Sequence, residues 1–361
     1  MDRRAFLRAG AGVGAVAAAT AGLAAPALAQ GRRTLTMVTS WGRGLAGVHD
    51  AAERTARLIT DMTDGALTID LKPAGELVGA FEVFDAVTAG QADIYHSADY
   101  YFLGQHPAFG FFATVPFGMT AQEMANWYYH GEGHALHNEL SGQFGLKSFM
   151  AGNTGAQAGG WFNREINSAA DLQGLKFRMP GLGGQALGKL GVSVQNVPGS
   201  EAYQALASGT IEATELIGPW PDEKAGFQEV AKFYYAAGFH EPAAALTLAF
   251  NGVLWQELPQ AQQRLIEMIA AETNQWTLAL FSSSHGPALQ RLLAAGVQVR
   301  QFPDDVWDAF GRASAEVHAG NMGDALYAKV HDNYMASLRA SSAWIRRSDG
   351  FYVGQRDRVL G

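Results

Sequence analysis

The residues 151–178, AGNTGAQAGGWFNREINSAADLQGLKFR, hold the densest set of groups suited to gripping a small ion. Asn153 and Gln157 each carry an amide, which offers a donor and an acceptor together. The glycines around them leave the backbone free to approach a ligand, because glycine has no Cβ in the way. Trp161 and Phe162 are apolar and anchor a strand. Ser168 opens a single capped turn. Lys176-Phe177-Arg178 then alternates as a short strand and ends on a guanidinium. That group is planar, always charged and forked, so it can hold a carboxylate through two parallel hydrogen bonds. Two amides and one arginine on neighbouring strand ends point to a small anionic ligand.

Other motifs carry less. Gly181-Leu182-Gly183-Gly184-Gln185-Ala186 fits the dinucleotide fingerprint G-x-G-x-x-A. It follows Pro180 and lies outside the first β-α-β unit, so it reads as a glycine-rich connection near the cleft. His130, His134 and His137 fall at i, i+4 and i+7, one face of a helix predicted over 120–144. Zinc needs further ligands and a carboxylate behind its histidines, and neither is evident. His240-Glu241 is not H-E-x-x-H, since Ala244 holds the last position. No G-x-S-x-G elbow occurs.

These groups need a scaffold. A chain of 361 residues suggests about two domains. Strands over 33–39, 67–71 and 92–96 alternate with helices over 49–62 and 81–89. That order predicts a parallel α/β lobe, which binds ligands at the carboxyl ends of its strands. Those ends are Ser40-Trp41 and 97–101, so one of Tyr100 and Tyr101 lines the pocket. Residues 203–213 repeat the pattern of 84–94: a helix, a stopping glycine and a strand. Two such α/β units facing each other leave a cleft between them. The expected lobes are 30–150 with 243–280, and 151–242 with 281–320, crossing near Ala151 and Pro242. Long helices follow over 259–294 and 304–347. The C-terminal helix, 321–361, carries Met322, Leu326, Tyr334, Met335, Leu338, Trp344 and Ile345. So much apolar surface predicts a covering second subunit and a homodimer.

Residues 1–29 do not belong to the fold. Arg3-Arg4-Ala5-Phe6-Leu7, an Ala/Gly/Val run and Ala27-Leu28-Ala29 spell a twin-arginine export signal cut after Ala29. Removing it takes away three arginines and one aspartate, so the net charge of −8 becomes −10. A chain this acidic is not built for nucleic acid. No later stretch approaches the ~20 apolar residues that span a bilayer. The absence of cysteine rules out disulfides and thiol chemistry.

Residues 197–213 join a Glu201-x-Tyr203-x-Ala205-Leu206 helix, Gly209 and a strand. This segment resembles the solute-binding proteins of tripartite ATP-independent periplasmic (TRAP) transporters. Residues 175–178 and 187–192 match that family's arginine strand and the helix after it. The similarity runs through the mature chain. It is greatest to the 2-oxo-acid branch, through residues 152–157, 159–162 and 217–220. The resemblance implies a periplasmic binding protein of two α/β lobes around a cleft, with long C-terminal helices. It implies that a pyruvate-like 2-oxo monocarboxylate is bound and handed to a membrane permease without chemical change. Arg178, Gln157, Asn153, Tyr100, Tyr101 and Glu215 would contact the ligand. A cation, Na⁺ or Ca²⁺, would be held by Gln157, Glu215, the Leu216 carbonyl and Glu241. Leu216 stands where the family has Trp, which leaves a carbonyl ligand in place but alters contact with the ligand's tail. The rival reading is an exported, metal-assisted enzyme acting on a carbonyl acid, with Glu215 or Glu241 as general base.

Overall fold

Val48, Ala51, Ala52, Thr55, Ala56 and Ile59 recur every three or four residues, and all are buried. This stripe is the inner face of α1 (Val48–Met62), which packs on β2 (Leu67–Lys72) beside β1 (Arg33–Thr39). A computed structural model describes residues 32–361. The export signal read at 1–29 lies outside the described residues. After α2 (Val83–Thr88) and β3 (Ile94–Ser97), two helices, α3 (Ala121–His130) and α4 (Gly133–Gly142), lead to β4 (Leu146–Asn153). The chain then builds β5 (Gly160–Phe162), β6 (Lys176–Arg178), α5 (Gly181–Lys189), β7 (Ser193–Gln195), α6 (Ala202–Ala207), β8 (Ala213–Thr214), α7 (Pro219–Ala225) and β9 (Phe233–Tyr235). It returns through β10 (Ala245–Asn251) and α8 (Gly252–Glu257). It ends in α9 (Gln260–Ala294), β11 (Gln298–Arg300), α10 (Asp304–Asn321), α11 (Ala325–Ile345) and α12 (Asp349–Leu360).

Two sheets result. The first runs β2-β1-β3-β10-β4, with β1 parallel to β2 and β3, and β10 antiparallel to both neighbours. The second runs β11-β9-β5-β8-β6-β7. Helix α9 has 35 residues and so spans about 52 Å at 1.5 Å each. It packs on α1 and β4 on one side and on α7 on the other, bracing both sheets. Two segments cross between the sheets, after β4 and before β10. They are tied together by Thr154 N–H to the Ala244 carbonyl at 3.0 Å and Gln157 N–H to the Glu241 carbonyl at 2.9 Å.

Three expectations change, two of them helices and one a glycine-rich connection. The helix predicted over 120–144 is two, broken where Gly131 turns extended (φ −102°, ψ −150°). The three histidines therefore share no face. His130 is exposed, and His137 is buried against Asp99 (Nε2 to Oδ2, 2.7 Å) and the Tyr128 hydroxyl (3.0 Å). The C-terminal stretch is also two helices. α11 folds back on its own first lobe, burying Tyr327, Val330 and Tyr334 against α3, α4 and 107–112. There Met119 N–H donates to the Tyr334 hydroxyl at 2.6 Å, and Trp127 Nε1–H to Asn333 Oδ1 at 2.7 Å. What stays uncovered begins at Trp344, 71% exposed, and continues along α12. Finally, the G-x-G-x-x-A stretch forms the start of α5. A Cβ on Gly183 would lie 2.6 Å from the His240 Cβ, and one on Gly184 only 2.2 Å from the Met179 carbonyl oxygen. Gly183 lets α5 pack closely beside His240, and Gly184 lets its first turn close on Met179.

Candidate functional site

β6 is held between β7 and β8 in parallel register, with Arg178 opposite Gln195 and Thr214. Arg178 is thus delivered buried, 2% exposed, at the carboxyl end of β6. Its Nε donates to the Val197 carbonyl at 2.9 Å, and Nη1 to the Glu215 carbonyl at 2.8 Å and to Glu215 Oε1. Nη2 has no partner among the described residues. Arg178 is therefore an ion-pair member and a cavity group at once. Only Nη2 is left for a ligand, so a grip through two nitrogens would first have to displace Glu215 or Val197.

Next to this pair, Glu215, His240 and Glu241 are all buried, with ligand atoms within 4.8 Å of one another. His240 Nε2 stands 3.4 Å from Glu215 Oε2. Glu241 Oε2 and Gln157 Oε1 are buried without a partner. The Leu216 carbonyl accepts no hydrogen bond among the described residues. Burial, reinforced by the Glu215 charge, pushes the Glu241 carboxyl well above the usual carboxylate range, while Arg178 and the Gln157 amide pull it down. A buried acceptor without a donor costs about 1–3 kcal/mol, more if charged. A hard cation would satisfy these oxygens together, so the residues fit Na⁺ or Ca²⁺.

The cavity beside them is small. It has a volume of about 20 Å³, little more than the space one water needs. Ser40, Trp41, Tyr100, Tyr101 and Leu246 line it from one lobe, and Thr154, Gln157, Arg178, Leu216 and Ile217 from the other side. The walls meet over it: a Cβ on Gly42 would lie 3.0 Å from the Ser200 Cβ. Both tyrosines line the cavity, where the sequence pointed to one. Their rings meet edge-on at 4.7 Å and 89°. Burial raises both hydroxyl pKa values, keeping them protonated donors. Glu215 and Glu241 sit behind this wall. Asn153 lies apart from it: Oδ1 accepts from Gly155 N–H at 2.8 Å and shapes the turn leaving β4.

Two residues named in the sequence take on contacts that it did not show. His240 joins the carboxylates, although only its neighbour Glu241 was read as a cation ligand. Trp41 is fixed by Nε1–H donating to His96 Nδ1 at 2.9 Å, while His96 Nε2 lies 3.2 Å from the Ala151 carbonyl. Burial lowers the His96 pKa to about 4, so the ring is neutral and accepts from Trp41. Nothing in the order of residues pairs Trp41 with His96; adjacent parallel strands do.

Two α/β lobes shut over a small, charged cavity at their crossing segments define a solute-binding protein. Residues 43–323 match the family described as bacterial extracellular solute-binding protein, family 7 (DctP), and the chain belongs to it. A monocarboxylate 2-oxoacid-binding periplasmic protein of Nostoc sp. strain PCC 7120 is 39% identical over 317 residues, 88% of this chain and 87% of that one. A TRAP periplasmic solute-binding protein of Pseudoalteromonas atlantica, solved with bound sodium and pyruvate, is 36% identical with a TM-score of 0.86, covering 90% of this chain and 99% of that one. One from Colwellia psychrerythraea, with bound calcium and pyruvate, is 34% identical with a TM-score of 0.87, again over 90% and 99%. A TRAP transporter solute-binding protein of Bordetella bronchiseptica is 32% identical with a TM-score of 0.90, over 91% and 98%. It is a mixed-occupancy dimer, with copurified calcium and picolinate at one site and the other apo.

Proposed function

We propose that this protein is the extracytoplasmic receptor of a TRAP transporter, binding a short 2-oxo monocarboxylate such as pyruvate together with one Na⁺ or Ca²⁺. The observation that carries this is a set of groups left without partners among the described residues: Glu241 Oε2, Gln157 Oε1, the Leu216 carbonyl and Arg178 Nη2. Gln157, Glu215, the Leu216 carbonyl and Glu241 would hold the cation. Arg178, Gln157, Tyr100 and Tyr101 would face the ligand, with Glu215 reaching it through the cation and Asn153 supporting the turn. A 2-oxo acid offers a carboxylate and a keto oxygen to one ion as a five-membered chelate. Tyr100, Tyr101, Gln157, Arg178 and Leu216 line the cavity in which it would sit. Lobes of 30–150 with 243–280, and 151–242 with 281–320, would close about the crossing segments, which themselves carry Gln157 and Glu241.

The twin-arginine signal at 1–29 would bring the chain to the periplasm, where it would hand its ligand to the membrane permease. Among the described residues no helix is long and apolar enough to cross a membrane. The family is one of binding proteins, which disfavours the exported carbonyl-acid enzyme. Calorimetric titration of pyruvate into the mature chain should show saturable, cation-dependent binding with all pyruvate recovered unchanged. Turnover would sink the receptor reading and revive the enzyme.

The apolar residues left exposed from Trp344 onward, Phe351, Tyr352, Val353, Val359 and Leu360, support a homodimer contact at this end rather than along α11. Light scattering at micromolar concentration should give twice the chain mass, and a shortened chain ending at 343 the single mass. A full-length chain that scatters as a monomer would dismiss this contact.

A further inference from the structure

We propose that Asp222 is a positioning residue of the cation site: from behind, it aims and polarises the Leu216 carbonyl. This rests on the reading above, in which that carbonyl is a cation ligand.

Asp222 lies in the first turn of α7 and is 1% exposed. Its Oδ1 accepts from Ile217 N–H at 3.2 Å and Gly218 N–H at 3.1 Å. Its Oδ2 accepts from Trp161 Nε1–H at 2.9 Å, and the Trp161 ring stacks on Tyr234 at 4.4 Å and 27°. Its own N–H donates to the Gly218 carbonyl at 3.0 Å. Both ends of the carboxylate are therefore fixed by groups that cannot rotate away.

The consequence falls on a single peptide. A peptide unit is planar, and trans ones point C=O and N–H in opposite directions. The chain has no cis peptide among the described residues. The Leu216 carbonyl and the Ile217 N–H share one such plane. With the N–H held on Asp222, the carbonyl must face away from it.

Its neighbours are occupied. The Glu215 carbonyl takes Arg178 Nη1 at 2.8 Å and Thr214 Oγ1 at 3.1 Å, and the Ile217 carbonyl takes Ala158 N–H at 3.0 Å. Of three consecutive carbonyls, only that of Leu216 is open, and its residue lines the cavity. A carboxylate on the N–H side of a peptide also polarises it, leaving the oxygen a better donor to a cation. Burial pushes the Asp222 carboxyl up to about 7, while the Trp161, Ile217 and Gly218 N–H groups pull it down, so the polarising effect belongs to its ionised form.

The test is a Ca²⁺ titration of metal-stripped mature protein at saturating pyruvate, for wild type, Asp222→Asn and Glu241→Gln. Outer groups that orient metal ligands are worth about 10–100-fold in metal affinity, and Asp222→Asn should lose that much. Its metal-free pyruvate affinity should stay within about twofold of wild type, because the ligand-facing side chains are untouched. A merely structural role would instead lower the melting temperature and weaken both affinities alike. If Glu241→Gln loses Ca²⁺ and Asp222→Asn binds it as wild type does, the positioning role is wrong and the site stands. If neither variant alters Ca²⁺ binding, the site reading fails and the role with it. Should Asp222→Asn not fold, wild type alone decides. A cation on the Leu216 carbonyl strengthens the Ile217 hydrogen bond, so the Ile217 amide proton should move downfield on Ca²⁺ saturation. An unmoved Ile217 resonance would overturn the proposal.

Discussion

Arg178→Ala should lose pyruvate binding by roughly 2–5 kcal/mol, about thirtyfold to several thousandfold in Kd. Two losses combine. The ligand carboxylate loses the one donor nitrogen, Nη2, that no protein group uses. The protein also loses the cation that pairs with Glu215 and the donors to the Val197 and Glu215 carbonyls. Breaking a buried pair from one side strands a charge and costs about 3–5 kcal/mol. The melting temperature should therefore fall together with affinity. Arg178→Lys separates the two. It keeps a positive charge beside Glu215, but one ammonium cannot reach Val197, Glu215 and the ligand together. Much of the stability should return in Arg178→Lys, while binding stays weak. Calorimetry and thermal melts on both variants check this. An alanine variant that melts as wild type does and binds pyruvate within threefold would refute both roles.

The parts of this architecture that were legible in the sequence follow from local periodicity. β1 runs over the residues whose alternation predicted it, and α1 carries the stripe its spacing predicted. The β-α-β order correctly implied parallel strands β2-β1-β3 with Ser40, Trp41 and the tyrosines at their ends. Periodicity does not say what covers an apolar face. Tyr327, Val330 and Tyr334 lie on one stripe of α11, and that stripe fits a second subunit as well as the lobe it packs on. It also passes over a one-residue break, and Gly131 divides a helical pattern without ending it. At the site, residue type showed that an arginine and several carboxylates were available. How Arg178 divides its donors is set by where β7 and β8 place Val197 and Glu215, 19 and 37 positions away. The Leu216 carbonyl is harder still to read, since backbone direction leaves no trace in the identity of the side chain.

Removing the cation should nearly abolish pyruvate binding, and Glu241→Gln should reproduce that loss even though it takes a negative charge from the surroundings of an anion. Simple electrostatics predicts the opposite sign. Glu215, Glu241 and Arg178 sum to −1, and a bound carboxylate makes −2, so neutralising Glu241 ought to help. Such buried charge is costly unless paired or metal-bound. The structure shows how the metal-free protein escapes this: burial and the Glu215 charge raise the Glu241 pKa so that the carboxyl tends to hold a proton. Glutamine imitates that neutral form. Metal-free wild type and Glu241→Gln should therefore bind pyruvate equally weakly near neutral pH. On adding Ca²⁺ or Na⁺ only wild type should tighten, because only a carboxylate can exchange its proton for an ion. That exchange releases a proton, so cation affinity in wild type should rise with pH across the Glu241 titration and be flat in the variant. Pyruvate titrations with and without each cation, at several pH values, measure all of this. Tighter pyruvate binding by Glu241→Gln, with no response to cations in either protein, would mean that the carboxylates do not hold a metal. Glu241 would then be only a buried acid beside Glu215, and Arg178 would bind the anion alone.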